Sequence, residues 1–343
     1  MRVEITKKPK SVVFIKGSIL AEDFDAHIQS VTRKFVEDAE LPGFRKGKAP
    51  ERMVVEKIGE AHLLEEAAEE ALQKAYSGIL QEHTLDAIGR PQIRITKLAR
   101  GNALEFEVET AVLPEVTLPD YKEIAKTINA VPMETITVTD EEVQKTIEWL
   151  QKSRLPQEPN QKTEATSLPP LTDEFAESLG NFKTVEELKN AIRENMTLEK
   201  RQKARDKRRG EILESMSEKA SVETPDILVD TEKRNMMLEL KSGVESMGME
   251  WNTYLTHIKK TEDNMLTDLQ KDAERKALHS LVLRSIAEKE HIEPTSDECN
   301  AWAYQYLMSR PENEKNDLDP ARVAEYAYGV LKNQKVFEFL ETC

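Results

Sequence analysis

The sequence predicts an α+β N-terminal domain followed by an all-α C-terminal domain. Three observations carry that reading. Apolar residues alternate with period two only within the first 112 residues. From Thr172 onward the helical period dominates. Between them lies "RLPQEPNQKTEATSLPP", residues 154–170, polar and proline-rich as a linker is.

In order along the chain, Val3 and Ile5, then Val12, Val13, Phe14 and Ile15, read as two strands over residues 2–20. From Glu22 the spacing changes: Phe24, Ile28, Val31, Phe35 and Val36 recur at helical intervals until about Glu40. A Pro-Gly loop follows. Leu63, Ala67, Ala68, Ala71, Leu72, Ala75, Ile79 and Leu80 then mark a long helix with one narrow apolar face. Its alanines would let a neighbour approach closely. Ile93 and Ile95 restart the strand pattern. In "ALEFEVETAV" (103–112), Leu104, Phe106 and Val108 alternate with Glu105, Glu107 and Glu109, as in a strand with one buried and one wet face.

Residues 113–138, with prolines at 114, 119 and 132 and no helical period, predict an extended connector, and 140–153 a helix. Beyond the linker, Thr184-Val-Glu-Glu187 is a capping-box start, and Thr224-Pro225 offers an N-cap followed by proline at the first helical position. Helices are expected near 250–260, 262–290, 295–310 and 320–341. The expected domains are 1–112, a connector and first arm helix over 113–153, the linker 154–170, and a helical domain over 171–343.

Composition narrows the function. The 343 residues carry a net charge of -15, 33% charged and 38% hydrophobic residues, so general coating of nucleic acid is excluded and any RNA contact must be local. The first ten residues lack the apolar stretch of a signal peptide, and no run reaches the roughly 20 apolar residues of a membrane span. A soluble, cytoplasmic protein is expected. Cys299 and Cys343 form neither a disulfide framework nor a metal site. The six histidines are scattered, and no phosphate loop, nucleophile elbow or paired tuned carboxylates appear. No catalytic centre, metal or cofactor is expected.

Three features remain. Residues 193–211 hold eight Arg/Lys against four acids, but the apolar residues thin out mid-helix and no aromatic residue is interleaved, so a solvated strut is preferred to an RNA- or membrane-binding helix. Nine of the eleven methionines lie at or beyond Met133. Any single one fits core filling best, yet Met236, Met237, Met247 and Met249, with Trp251 and Tyr254 nearby, lean toward an adaptable apolar surface that takes many partners. Finally, "LPGFRKGKAP" (41–50) sets Phe44, Arg45, Lys46 and Lys48 between glycines and prolines on an otherwise acidic chain. A basic turn explains the punctuation but not the ring. A docking tip explains both, the ring entering a pocket and the cations meeting phosphates or carboxylates.

Gly43-Phe44-Arg45-Lys46-Gly47-Lys48-Ala49-Pro50 resembles the ribosome-docking signature of the bacterial trigger factor family. "TPDILVDTEKRNMMLEL" (224–240) and "AEKEHIEPTSDE" (287–298) resemble that family's C-terminal helical domain. The resemblance implies an elongated molecule with arm-like helices and an ATP-independent chaperone for nascent chains. It implies ribosome contacts at Gly43, Phe44, Arg45, Lys46, Gly47, Lys48 and Pro50, and partners that include protein and rRNA near the large-subunit tunnel exit. Nascent and unfolded polypeptides would be clients, the free protein could be a homodimer, and neither membrane nor DNA is a partner. One departure is expected. The family's FKBP-like prolyl isomerase domain would follow the helix 140–153, where this chain has only the linker, so isomerase activity is not carried over. The alternatives are an isomerase with an unrecognised site, or a scaffold that binds one acidic partner.

Overall fold

The structure, a computed structural model, describes residues 1–132, 135–153, 170–310 and 319–343. Four antiparallel strands are β1 (Arg2–Lys8), β2 (Val12–Ile19), β3 (Ala87–Lys97) and β4 (Leu104–Val112), in the sheet order β1-β2-β4-β3. The helices are α1 (Ala21–Asp38), α2 (Glu51–Ile58), α3 (Glu60–Glu82), α4 (Tyr121–Asn129), α5 (Asp140–Ser153), α6 (Asp173–Leu179) and α7 (Val185–Ser217). They continue with α8 (Asp226–Ser246), α9 (Trp251–Ile258), α10 (Glu262–Asp268), α11 (Gln270–Lys289), α12 (Ser296–Met308) and α13 (Pro320–Glu341). Among the described residues no strand forms beyond Val112, and a β-bridge pairs Thr117 with Ser221.

The expected α+β and all-α parts are both present. The chain forms two compact units, residues 1–117 with 220–285, and residues 118–219 with 286–343. The expected helical domain 171–343 thus contributes to both.

In the first unit, Val13, Ile15, Ile19, Leu104, Phe106 and Val108 turn to one face of the sheet. They join Phe24, Ile28 and Val31 of α1 and Leu63, Ala67, Ala68, Ala71, Leu72 and Ile79 of α3 in one core. The alanine face does what its spacing predicts: without long side chains, α3 seats closely on its neighbours. Glu105, Glu107 and Glu109 take the opposite face and pair with Lys97, Arg94 and Lys8. The β1–β2 turn, with Lys10 and Ser11 at positive φ, carries Lys10 to the start of α8, where its Nζ lies 2.7 Å from Asp226 Oδ1. Gly89 allows close approach there, since a Cβ on it would lie 2.0 Å from Ile227 Cδ1.

In the second unit, α5, α6 and the first half of α7 share a core of Val143, Ile147, Ala176, Leu188 and Ile192. The far end of α7 packs on α4, and α13 packs on α12 and α4. Arg205 and Arg209 of α7 converge on Glu341 of α13 at 2.5–2.7 Å.

Several local expectations are corrected. The connector 113–138 is not extended throughout. Asp120 accepts the Glu123 N–H at 3.1 Å and starts α4, whose Tyr121 and Ala125 are buried. The signal is short, nine residues, and its burial depends on distant helices. The single helix expected over 262–290 breaks at Leu269 into α10 and α11. Pro225 rather than Thr224 is the N-cap of α8, and no side chain caps it. Thr184 does cap α7, accepting the Glu187 N–H at 3.2 Å. The linker reading of 154–170 falls, but for Pro170, outside the described residues, as does Met133.

Candidate functional site

The 41–50 loop is fixed by its backbone. Phe44 N–H donates to Leu41 O at 3.0 Å and Lys48 N–H to Arg45 O at 2.9 Å, giving two successive tight turns. Gly43 and Gly47 have φ of +89° and +72°, which favours glycine at both. Gly47 N–H also donates to Ala39 O at 3.3 Å, tying the second turn to the end of α1. Ala49 is buried, and Pro50 caps α2, its carbonyl accepting from Met53 at 3.0 Å and Val54 at 3.2 Å. The larger side chains of the turns face outward. Phe44 is 39% exposed, and Arg45, Lys46 and Lys48 are exposed beside it. The loop is an aromatic ring flanked by cations on a backbone held by its own hydrogen bonds.

The residues expected to meet clients divide. Met247 is 77% exposed and Met249 is also exposed, at the end of α8 and beyond it. Met237 and Tyr254 are half-buried, and Met236 is half-buried against Val229, Ala273 and Ala277. Trp251 is corrected: at 5% exposure it stacks on Tyr254 with centroids 5.5 Å apart, and its indole N–H donates to Glu262 Oε1 at 2.7 Å. A ring so placed joins α9 to α10 and is buried rather than exposed as expected. Leu238, missed in the sequence, is exposed on α8.

A second group was also missed. On α12 and α13, Trp302 stacks on Tyr306 at 5.2 Å, and Tyr326, 61% exposed, meets the edge of Trp302 at 5.8 Å. Tyr304 and Met308 are exposed on α12, and Trp149 and Leu198 on α5 and α7. The four-residue spacing of Trp302 and Tyr306 was the available signal.

The cations of α7 are largely engaged within the protein. Arg193 pairs with Asp140 at 2.6 Å, Lys200 with Glu142 at 2.7 Å, Lys203 with Glu199 at 2.5 Å, and Arg205 and Arg209 with Glu341. Arg208 donates to Val131 O at 2.5 Å. Among the described residues, no group of three or more His, Cys, Asp or Glu could hold a metal ion, and no helix is long and apolar enough to cross a membrane.

The fold agrees with the comparisons. A family model described as bacterial trigger factor protein matches residues 1–150, and one for the C-terminus of that protein matches 184–341. The chain belongs to the trigger factor family. The trigger factor of Carboxydothermus hydrogenoformans is 25% identical over 426 aligned positions, covering 98% of each chain. That of Bacillus pumilus is 24% identical over 429, covering 99% of each. The first alignment is 83 positions longer than this chain of 343 residues, so the relative carries at least that many residues without a counterpart here. A solved structure, described as concerning promiscuous substrate recognition in folding and assembly activities of the trigger factor chaperone, shares the fold. Its TM-score is 0.56 at 17% identity, with 100% of this chain and 99% of that one covered. The chain is a chaperone of the trigger factor family.

Proposed function

We propose that this chaperone docks on the large ribosomal subunit beside the tunnel exit through Gly43, Phe44, Arg45, Lys46, Gly47, Lys48 and Pro50, and holds apolar segments of emerging chains without ATP. The observation that carries the reading is the exposed Phe44 ring on an ordered backbone, flanked by three exposed cations on a protein of net charge -15. The ring supplies apolar contact to a ribosomal protein and the cations meet rRNA phosphates, a binding mode that weakens steeply with salt. Clients bind weakly at scattered exposed apolar groups, Met247, Met249 and Leu238 in the first unit and Tyr304, Met308 and Tyr326 in the second. Weak contacts suit a client that must leave in order to fold.

The domains we assign are the ribosome-binding residues 1–112, the connector and helix 113–153, the linker 154–170, and the client-binding residues 171–343. The protein acts in the cytoplasm, with nascent and unfolded chains and the ribosome as partners, a homodimer when free, and neither membrane nor DNA. We read it as a chaperone without prolyl isomerase activity, a reading supported by the two matched family stretches, which leave only 151–183 between them, fewer residues than the relative has in excess.

The triple variant Phe44→Ala, Arg45→Ala, Lys46→Ala is expected to lose ribosome co-sedimentation with an unchanged far-UV circular dichroism spectrum. Retained pelleting would remove the docking reading. Turnover in a proline-limited refolding assay would reinstate the isomerase alternative.

A further inference from the structure

The element that would dock carries its own competitor. Between Glu37 and Lys48, three acids (Glu37, Asp38, Glu40) face three cations (Arg45, Lys46, Lys48), so this stretch is electrically neutral. The acids occupy the end of α1 and the residues just beyond it, and α1 has no basic residue in its last turn. That arrangement opposes the helix dipole, whose C-terminal end favours cations. Folding brings the two sets together. Gly47 N–H donates to Ala39 O, and a Cβ on Gly47 would lie 3.1 Å from Glu37 O, so the second turn of the loop rests on the end of α1. Lys46 Nζ then lies 3.8 Å from Asp38 Oδ1, with the Asp38 side chain 84% exposed. The carboxylate stands on the same solvent front as the ammonium that would meet a phosphate.

We propose that Asp38 is an affinity-setting residue that competes with rRNA phosphate for Lys46 and keeps docking weak and reversible. The inference rests on the docking reading above. Phosphate and the Asp38 carboxylate are the same kind of ligand for an ammonium, and Lys46 bonded to one is less available to the other. Exposed pairs of this kind are worth well under a tenfold change in an equilibrium constant. The device therefore tunes occupancy without blocking it.

The test is ribosome binding of the full chain to vacant ribosomes over a salt series. Asp38→Asn should bind about two- to five-fold more tightly at low salt, with the gain fading as salt rises. Lys46→Ala should bind more weakly, and adding Asp38→Asn to it should give no further gain. Unchanged or weaker binding of Asp38→Asn overturns the inference, and so does an equal gain in the Lys46→Ala background, which would mark a diffuse field effect. Either failure leaves docking intact if the Phe44, Arg45, Lys46 triple variant still abolishes pelleting. If that triple variant pellets normally, the docking reading itself falls.

Discussion

Phe106 lies over Gly17 across the β2–β4 pairing, so closely that a Cβ on Gly17 would sit 2.2 Å from the ring's Cζ. Both residues are buried, and the ring, 1% exposed, belongs to the core shared by the sheet, α1 and α3. The glycine is the floor on which an aromatic ring is laid.

Gly17→Ala should therefore destabilise the first unit by about 2 kcal/mol, because the ring must leave its rotamer or the strands must shift. Urea unfolding followed by circular dichroism measures it. An unchanged midpoint would mean that the ring relocates freely.

The proposed docking loop gives a paired contrast. Gly43 and Gly47 both have positive φ, but a Cβ on Gly43 meets nothing within 4 Å, whereas one on Gly47 presses on Glu37 O. Each alanine costs the backbone term of about 1 kcal/mol, and only Gly47→Ala adds a steric one. Ribosome affinity should fall further for Gly47→Ala than for Gly43→Ala. The reverse order would show that the tip, not its seat on α1, controls presentation.

Glu341 sets an acid-dependent contribution to stability. Hydrogen bonds from Arg205, followed by those from Arg209, lower its pKa to about 2, against the partial burial that would raise it. Because the folded value lies below the ordinary carboxylate range, this stabilisation is complete above pH about 4.5 and is lost as pH falls toward about 2. Glu341→Gln should cost about 2 kcal/mol at neutral pH and flatten the decline in that acid window. Thermal melts from pH 7 to pH 2.5 would decide it. Parallel pH curves for the two proteins would remove Glu341 as the source.

Exposed and buried apolar groups should separate cleanly. Met247→Asp with Leu238→Asp should lower suppression of client aggregation with little change in melting temperature, since both side chains face solvent. Trp251→Ala should instead lower the melting temperature, because it removes a buried ring and leaves Glu262 without the indole donor. A client defect in Trp251→Ala without loss of stability would restore that residue to the client-binding surface.

What the sequence determined by itself was the strongly periodic and turn-forming stretches. Alternation in 103–112 gave β4 and its acidic outer face, the alanine spacing gave the packing face of α3, and the glycines and prolines gave the turns that expose Phe44. These features depend on residues within a turn or two of one another, which periodicity and backbone preference report directly. Only the tertiary structure decided the rest. The nine residues of α4 became a helix where Tyr121 and Ala125 found a buried setting. Trp251 is buried, with its indole N–H on Glu262. The cations of α7 found distant partners such as Glu341, 136 residues from Arg205. Burial and charge pairing are set by which distant residues meet in space, and that information is absent from any short window of the chain.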